Sequence, residues 1–428
     1  MKSFNYLPII FISIISIIVS KIFTPFIGLL ISIISLIFLS LFFLYSRISL
    51  KNKIKKEKVL QEQQRQLKEK QKQEEINRII KERNNHIEEL KKTGIKTINC
   101  QQRINTINVA TSINIFQKDK IMVTFFGGKL ILYSIDIIKY SFIELLYTKE
   151  FSYNAYNAIE MEEHNNRIIV YGYPGIKILE IEINNNKGKE GNKYKIIQKL
   201  KCDEFNKEII KVIELDKNTL VSISTDYLLI WYKENDIYKI SDKYLNFIKY
   251  ENLLILSNIL KLDFNNIVLL KQANSNMTKS TIDFIEIKNK EPIEKKLINI
   301  DISTLDTGNN NLLLINQKEK IFLVGCMKGI AVMTGIYMEL IHFINFEEKI
   351  KNIDFFFDKF IFAYGKYENK VNDKEYIFYQ FDNDKDFGNK QKIIKKSNLI
   401  GDELNTMKYF KDGLIIIGDH EGYLQLWH

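Results

Sequence analysis

The chain has 428 residues, 46% of them hydrophobic, with only four Pro and eighteen Gly. This composition excludes a disordered chain and suits one large domain plus an appendage. The net charge of +10 is uneven: Lys51 to Lys92 carries 14 Lys and Arg against 8 Asp and Glu, and the remainder is near balance, so no nucleic-acid-binding face is indicated for the main domain. Cys100, Cys202 and Cys326 are odd in number and far apart, which excludes a disulfide framework and fits a reducing compartment.

Residues Leu7 to Tyr45 are almost wholly apolar, interrupted at Lys21, Thr24 and Pro25. The run is too long for one span and too apolar for a soluble helix. Residues 1–50 are therefore read as a membrane anchor: a transmembrane helical hairpin with helices over Tyr6 to Ser20 and Phe26 to Tyr45, and Pro25 opening the second. A cleaved signal peptide is the alternative, but Ile18-Val19-Ser20 lacks the small residue needed upstream. Arg47, Lys51, Lys53, Lys55, Lys56 and Lys58 crowd the end of the second helix. The positive-inside rule then puts everything after residue 46 in the cytosol. The cluster would also meet anionic lipid headgroups, at about 1 kcal/mol per residue.

Residues 51–94 read as a charged helical stalk without Gly or Pro until Thr93-Gly94 stops it. Leu60 and Leu67 are out of heptad phase with Ile80 and Ile87. A continuous coiled coil is excluded, and a short one over Ile76 to Leu90, with weak self-association, is the alternative to a solvated rod.

From residue 95 to 428 one unit recurs: a strand, a tight turn and a second strand. The second strands begin at 130, 176, 228, 282, 330, 376 and 423, spaced 46 to 54 residues apart. Runs such as Val212 to Leu215 and Met407 to Phe410 add a strand before the pair. An all-strand period of this size predicts an all-β, seven-bladed β-propeller, whose sheets cover one another's faces. The last copy lacks an outer strand, and Ile95 to Cys100 is the expected donor that closes the ring.

Ser224-Thr225-Asp226-Tyr227-Leu228-Leu229-Ile230-Trp231 and Gly418 to Trp427 resemble the strand, acidic turn and Trp-ending strand of the WD40-like β-propellers. Neither Trp is followed by Asp, and no Gly-His pair is present. The family's buried His–Ser–Asp–Trp network is therefore expected to be absent or incomplete. The resemblance implies a protein-binding platform. With the anchor, the expectation is an integral membrane protein, a membrane-tethered protein-interaction scaffold presenting a cytosolic propeller. A trafficking or organelle-organising role is compatible with that placement.

No catalytic, metal-binding or cofactor-binding residues are assigned, and the chain is not expected to be an enzyme. Asp382 to Gly388 begins like a calcium loop, but Gly falls at the seventh position and Ile393 at the twelfth. Glu160-Met161-Glu162-Glu163-His164 is read as surface decoration before an Asn165-Asn166 turn. Trp231 and Trp427 are packing residues, and His420 lies in a turn. Alternatives are a propeller enzyme with ionisable groups at the ring axis, or a lumenal ligand-binding sensor, which glycosylation at Asn276 would support.

Overall fold

The structure is a computed structural model. It describes all residues except 1–6, 23–24, 96–98, 150–154, 174, 185–190, 201–207, 242–244, 247–253, 274–279, 301–311, 327–328, 347–348, 358–359, 367–374, 383–389 and 397–403. The chain divides into two compact units, Met1–Arg83 and Asn84–His428.

The first unit is helical. α1 (Leu7–Ile22) has 16 residues and α2 (Pro25–Thr93) has 69. At 1.5 Å per residue α1 is about 24 Å long, short of the ~30 Å hydrocarbon layer. α2 opens at Pro25, as the missing N–H favours. It then runs unbroken through both the apolar segment and the charged one, so the expected second span and stalk are one helix. No Gly or Pro interrupts it after Gly28. From Gly28 onward it is long and apolar enough to cross a membrane, and Leu29, Leu36, Phe38, Leu44 and Tyr45 are exposed. The charged part is laced with ion pairs one turn apart, among them Arg65–Glu62 at 3.0 Å and Arg78–Glu75 at 2.7 Å.

In the second unit the described strands form seven antiparallel sheets. Six are continuous stretches of chain. They are β2 (Ala110–Phe116) to β5 (Ser141–Lys149), β6 (Ala155–Met161) to β9 (Lys193–Leu200), and β10 (Lys211–Asp216) to β13 (Ile237–Ile240) with a short β14 (Leu245–Asn246). The others are β15 (Leu254–Lys261) to β18 (Glu291–Ile300), β19 (Leu312–Asn316) to β22 (Glu339–Asn345), and β23 (Lys349–Phe356) to β26 (Lys390–Lys396). The remaining sheet joins β27 (Leu404–Tyr409), β28 (Ile415–Asp419) and β29 (Tyr423–Trp427) to β1 (Cys100–Asn105). Six blades are thus continuous, and the remaining sheet is a composite, as expected of a last copy without its own outer strand, completed by a segment some 300 residues earlier. First strands touch in the order β2, β6, β10, β15, β19, β23, β27, and β27 returns to β2.

The donor strand is corrected, from Ile95 to Cys100 to β1 itself. Ile95 is used elsewhere: it lies with Leu90, Phe356, Met407 and Trp427 in one buried cluster, and its N–H bonds Gln380 Oε1 at 2.7 Å. Pairing begins where Asn99 and His428 exchange backbone bonds of 2.9 and 3.0 Å. Gly94 closes α2 at φ +72°, donating to Leu90 O at 2.7 Å. Leu90, proposed for a coiled-coil seam, is thus buried against the sheets and not available for self-association.

Each core cluster lies between two consecutive sheets. Ile113, Ile121 and Ile131 of the first meet Leu414, Ile416 and Leu426 of the composite. Val268 and Phe284 meet Phe322 and Met333 in the same way. Apolar residues face both sides of each sheet, which is why the strands read as β-branched runs and not as strict alternations. The hairpin tips Asn235-Asp236 and Asn289-Lys290 take positive φ at both central residues, the geometry that matches strand twist.

Candidate protein-interaction surface

The ring closes at a junction of β1, the 419–422 turn and the first turn of β3 (Lys120–Phe125) into β4 (Lys129–Asp136). Asp419 is fully buried and organises it. Its Oδ1 accepts from Glu421 N at 3.1 Å and Tyr423 N at 2.9 Å, and its Oδ2 from Gln425 Nε2 at 2.7 Å. Gln425 Oε1 in turn accepts from Trp427 Nε1 at 3.0 Å. Arg103 lies 3.8 Å from Asp419 Oδ2 and 3.4 Å from Glu421 Oε2, with its guanidinium 3.2 Å from the Tyr423 ring centroid.

β1 leaves this sheet through Thr106 to Val109. Thr106 N donates to Gly422 O at 2.8 Å, and Asn105 Oδ1 accepts from Ile107 N at 2.8 Å. This local turn holds Ile107 at φ +68° with 83% of its surface exposed. A β-branched residue in the left-handed region is strained by about 1–2 kcal/mol. Phe126, also exposed, is tied to the same turn through its N–H to Val109 O at 3.0 Å. The junction thus carries a strained apolar tip and an exposed aromatic on a base held by the Asp419 and Arg103 contacts.

The ring's inner strands hold a feature that the sequence reading missed. In six of the seven first strands one position is polar: Ser112, Asn157, Lys211, Asn258, Asn352 and Thr406; in β19 the equivalent residue, Leu312 opposite Val324, is apolar. Most of the six are buried and follow a register shift in the strand. Aligning the first strands of the repeat would have shown a polar residue just before a constant apolar one. Carboxylates nearby bridge neighbouring sheets. Glu160 accepts from Gln117 N at 3.1 Å, Glu214 from Glu162 N at 2.8 Å, and Asp354 from Tyr409 N at 2.9 Å while pairing Lys408 at 2.9 Å. Burial raises the carboxyl pKa of Glu160 and Glu214. Burial, then the charge of Lys408, lowers Lys211 to about 8. These groups join sheets to one another.

In Glu160 to His164 the turn sits at Glu162-Glu163, and β7 (His164–Gly172) already includes Asn165 and Asn166. Of its acids, Glu160 is a tie between sheets and Glu162, though exposed, pairs Lys261 at 3.1 Å, whereas Glu163 lies at the surface as expected. Trp231 and Trp427 are buried. The expected loss of the hydrogen-bond network is only partial, because Trp231 Nε1 donates to Ser222 Oγ at 2.8 Å and Trp427 reaches Asp419 through Gln425. His420 is exposed. His86 and His428, distant in sequence, bring their ring centroids to 5.1 Å. The core of the calcium-like loop, and Asn276, lie outside the described residues. Among the described residues no group of three or more His, Cys, Asp or Glu is placed to hold a metal. Cys326 is buried, which pushes its thiol up to about 12.

No protein-family model matches the chain, and no curated protein does. Solved structures do. The WD40 β-propeller domain of Doa1 superposes with a TM-score of 0.53 at 11% identity, covering 78% of this chain and 97% of that one. The fold is a WD40-like β-propeller. Chaetomium thermophilum Raptor matches with a TM-score of 0.54 at 10% identity over 77% of this chain, which spans 29% of Raptor's length. At such identities the likeness is one of fold.

Proposed function

We propose that the chain is a non-enzymatic, membrane-tethered scaffold whose propeller binds other proteins. The observation that carries this reading is the Ile107–Phe126 tip, an exposed apolar surface on a base rigidified by the Asp419 network. A position strained without benefit to packing is best explained by a contact made outside the chain. Of the propeller's ionisable inner-strand groups, Asp354 bonds Lys408 and Tyr409 N, Glu160 accepts from Gln117 N and Glu214 from Glu162 N, which favours a structural over a catalytic role.

The tether is α2, whose exposed apolar start and basic flank suit a bilayer and its anionic headgroups; α1 would complete a hairpin. The basic flank after residue 46 supports a cytosolic propeller by the positive-inside rule, where a trafficking or organelle-organising role is a natural use. Confinement to a surface raises encounters with other surface-bound proteins.

Proximity labelling with the full-length chain and its Ile107→Asp variant tests the scaffold. A reproducible neighbour set that the variant loses, at unchanged protein level and membrane fraction, supports it; an identical set for both overturns the tip as the surface. Protease protection with tags at both ends tests the orientation. Digestion of both tags from outside sealed vesicles is expected, and a protected C-terminal tag overturns it.

A further inference from the structure

The outer strands of the sheets differ in one respect. The sequences of β1, β5, β9, β13, β18 and β26 each include a cation, for example Arg103, Lys149, Lys193, Lys239, Lys295 and Lys392. Such residues guard an open sheet edge against pairing with foreign chains. β22 reads Glu339-Leu340-Ile341-His342-Phe343-Ile344-Asn345 and has neither Lys, Arg nor Pro. It is the outermost strand of its sheet, with no strand on its far side among the described residues. Leu340 and Ile341 are 46% and 50% exposed, and the turn before them exposes Ile336 and Tyr337. Next to this turn lies β18, whose Lys296 Nζ reaches Tyr337 O at 3.5 Å, and Ile293 on β18 is exposed as well.

A bulge at Ile341 does not explain the difference. β5, β9 and β18 carry the same register shift against their neighbours, so the bulge is common, and among the sheets' fourth strands the missing cation is particular to β22; the two-residue β14 is too short to serve as a template.

We propose that β22 is a docking edge for an extended segment of a partner protein, apolar at alternate positions and carrying a Lys or Arg. The segment would add to the sheet as a further strand, with main-chain bonds supplying affinity and side-chain alternation specificity. The basic residue follows from charge: Lys296 of β18 lies at the Tyr337 turn, but along β22 itself the only formal charge is Glu339, so a cation placed opposite Glu339 gains a partner and an acid there meets its like. A second copy of this chain is the weaker occupant. Two seven-residue edges pairing about His342 bury well below the ~1,200 Å² of a stable interface, and the fourth strands of the copy's other sheets each carry a cation. This inference rests on the scaffold reading, but places binding on the outer wall and not at the Ile107–Phe126 tip.

The test is selection of a random 12-residue peptide library on the detergent-solubilised full-length chain, with counter-selection on Ile341→Lys. Selected peptides are then titrated by anisotropy and mapped by amide hydrogen exchange. Expected are peptides of alternating apolar residues with Lys or Arg, exchange slowed at 339–345, and affinity at least ten-fold weaker for Ile341→Lys. The control Ile197→Lys, on the already guarded β9, should leave affinity unchanged. Glu339→Lys should weaken basic peptides and improve acidic ones. Equal loss for Ile197→Lys, or no peptide distinguishing Ile341→Lys from the parent, overturns the edge. Protection only at the 105–109 and 126–128 turns overturns it while leaving the scaffold reading intact. A concentration-dependent dimer abolished by Ile341→Lys overturns the heterologous partner in favour of a second copy.

Discussion

Two of the sheets carry a buried Trp in their third strand, β12 (Tyr227–Glu234) and β29, and they solve the same burial problem from opposite sides. In the sheet of β10 to β13, Trp231 donates to Ser222 on the neighbouring strand, β11 (Thr219–Ile223); Ser222 sits opposite Leu229. In the composite sheet the corresponding pair is Ile417 opposite Gln425. The polar residue has crossed to the Trp-bearing strand, and Gln425 relays the indole to Asp419. The turn that follows is capped in both: Ser224 Oγ accepts from Tyr227 N at 3.1 Å, and Asp419 Oδ1 from Tyr423 N. What is required is one acceptor per buried indole, on either member of the cross-strand pair. The composite sheet goes further and uses a charged cap, which draws in Arg103 from β1 and so ties the closing strand to the turn.

Breaking the relay has the largest expected effect. Gln425→Leu strands the Trp427 N–H and one oxygen of a buried carboxylate, costing about 3–4 kcal/mol in denaturant unfolding of the full-length chain. Adding Ile417→Ser should recover about 1 kcal/mol, the indole's share. No recovery would show that the two sheets are not interchangeable.

A second buried aspartate sharpens the contrast. Asp283 on β17 (Ser280–Lys288) has the ammonium of Lys271 beside it. Burial pushes its pKa up to about 6 against the pull of Lys271. A carboxyl raised in the folded state stabilises most when protonated. Its contribution is complete below pH ~4 and lost as pH rises through about 6, a change of about 2 kcal/mol. Between pH 4 and 7, wild-type stability should fall by that amount relative to Asp283→Asn; parallel profiles would show that Asp283 titrates normally.

Ser222→Ala should cost about 1–2 kcal/mol, less than the Gln425 change because no charge is involved. The exchange Ser222→Ile with Leu229→Gln, which copies the composite sheet, should restore about half. The smallest effect is a gain: Ile107→Gly removes left-handed strain and should stabilise by up to about 1 kcal/mol while reducing partner capture. A loss of stability would mean that Ile107 serves packing.

Much of this architecture was legible in the sequence because hydrophobic periodicity is local. The strand pairs, the helix stop at Gly94 and the need for a closing strand all follow from runs of β-branched residues and turn chemistry. What sequence could not place was decided at a distance. Ile95 looks like a strand residue, but the apolar cluster around Trp427 and the Gln380 side chain draw it into the core, and the donor shifts to Cys100–Asn105. Leu90 reads as a coiled-coil position until the sheets compete for it. The tip was illegible for a different reason: nothing in Thr106-Ile107-Asn108 announces positive φ at Ile107, which the Asn105 side chain and Gly422 impose together.

The composite sheet also orders events during synthesis. β1 leaves the ribosome early, while its partner strand emerges some 320 residues later. At 5–20 residues per second that is a wait of roughly 15–65 s. Throughout it, β1 is an unpaired strand in a crowded cell. Its sequence, Cys100-Gln101-Gln102-Arg103-Ile104-Asn105, has a single aliphatic residue and one cation, so it can wait without recruiting the wrong neighbour. The arginine that later clasps Asp419 therefore has an earlier duty, keeping the strand soluble until the rest of the ring exists.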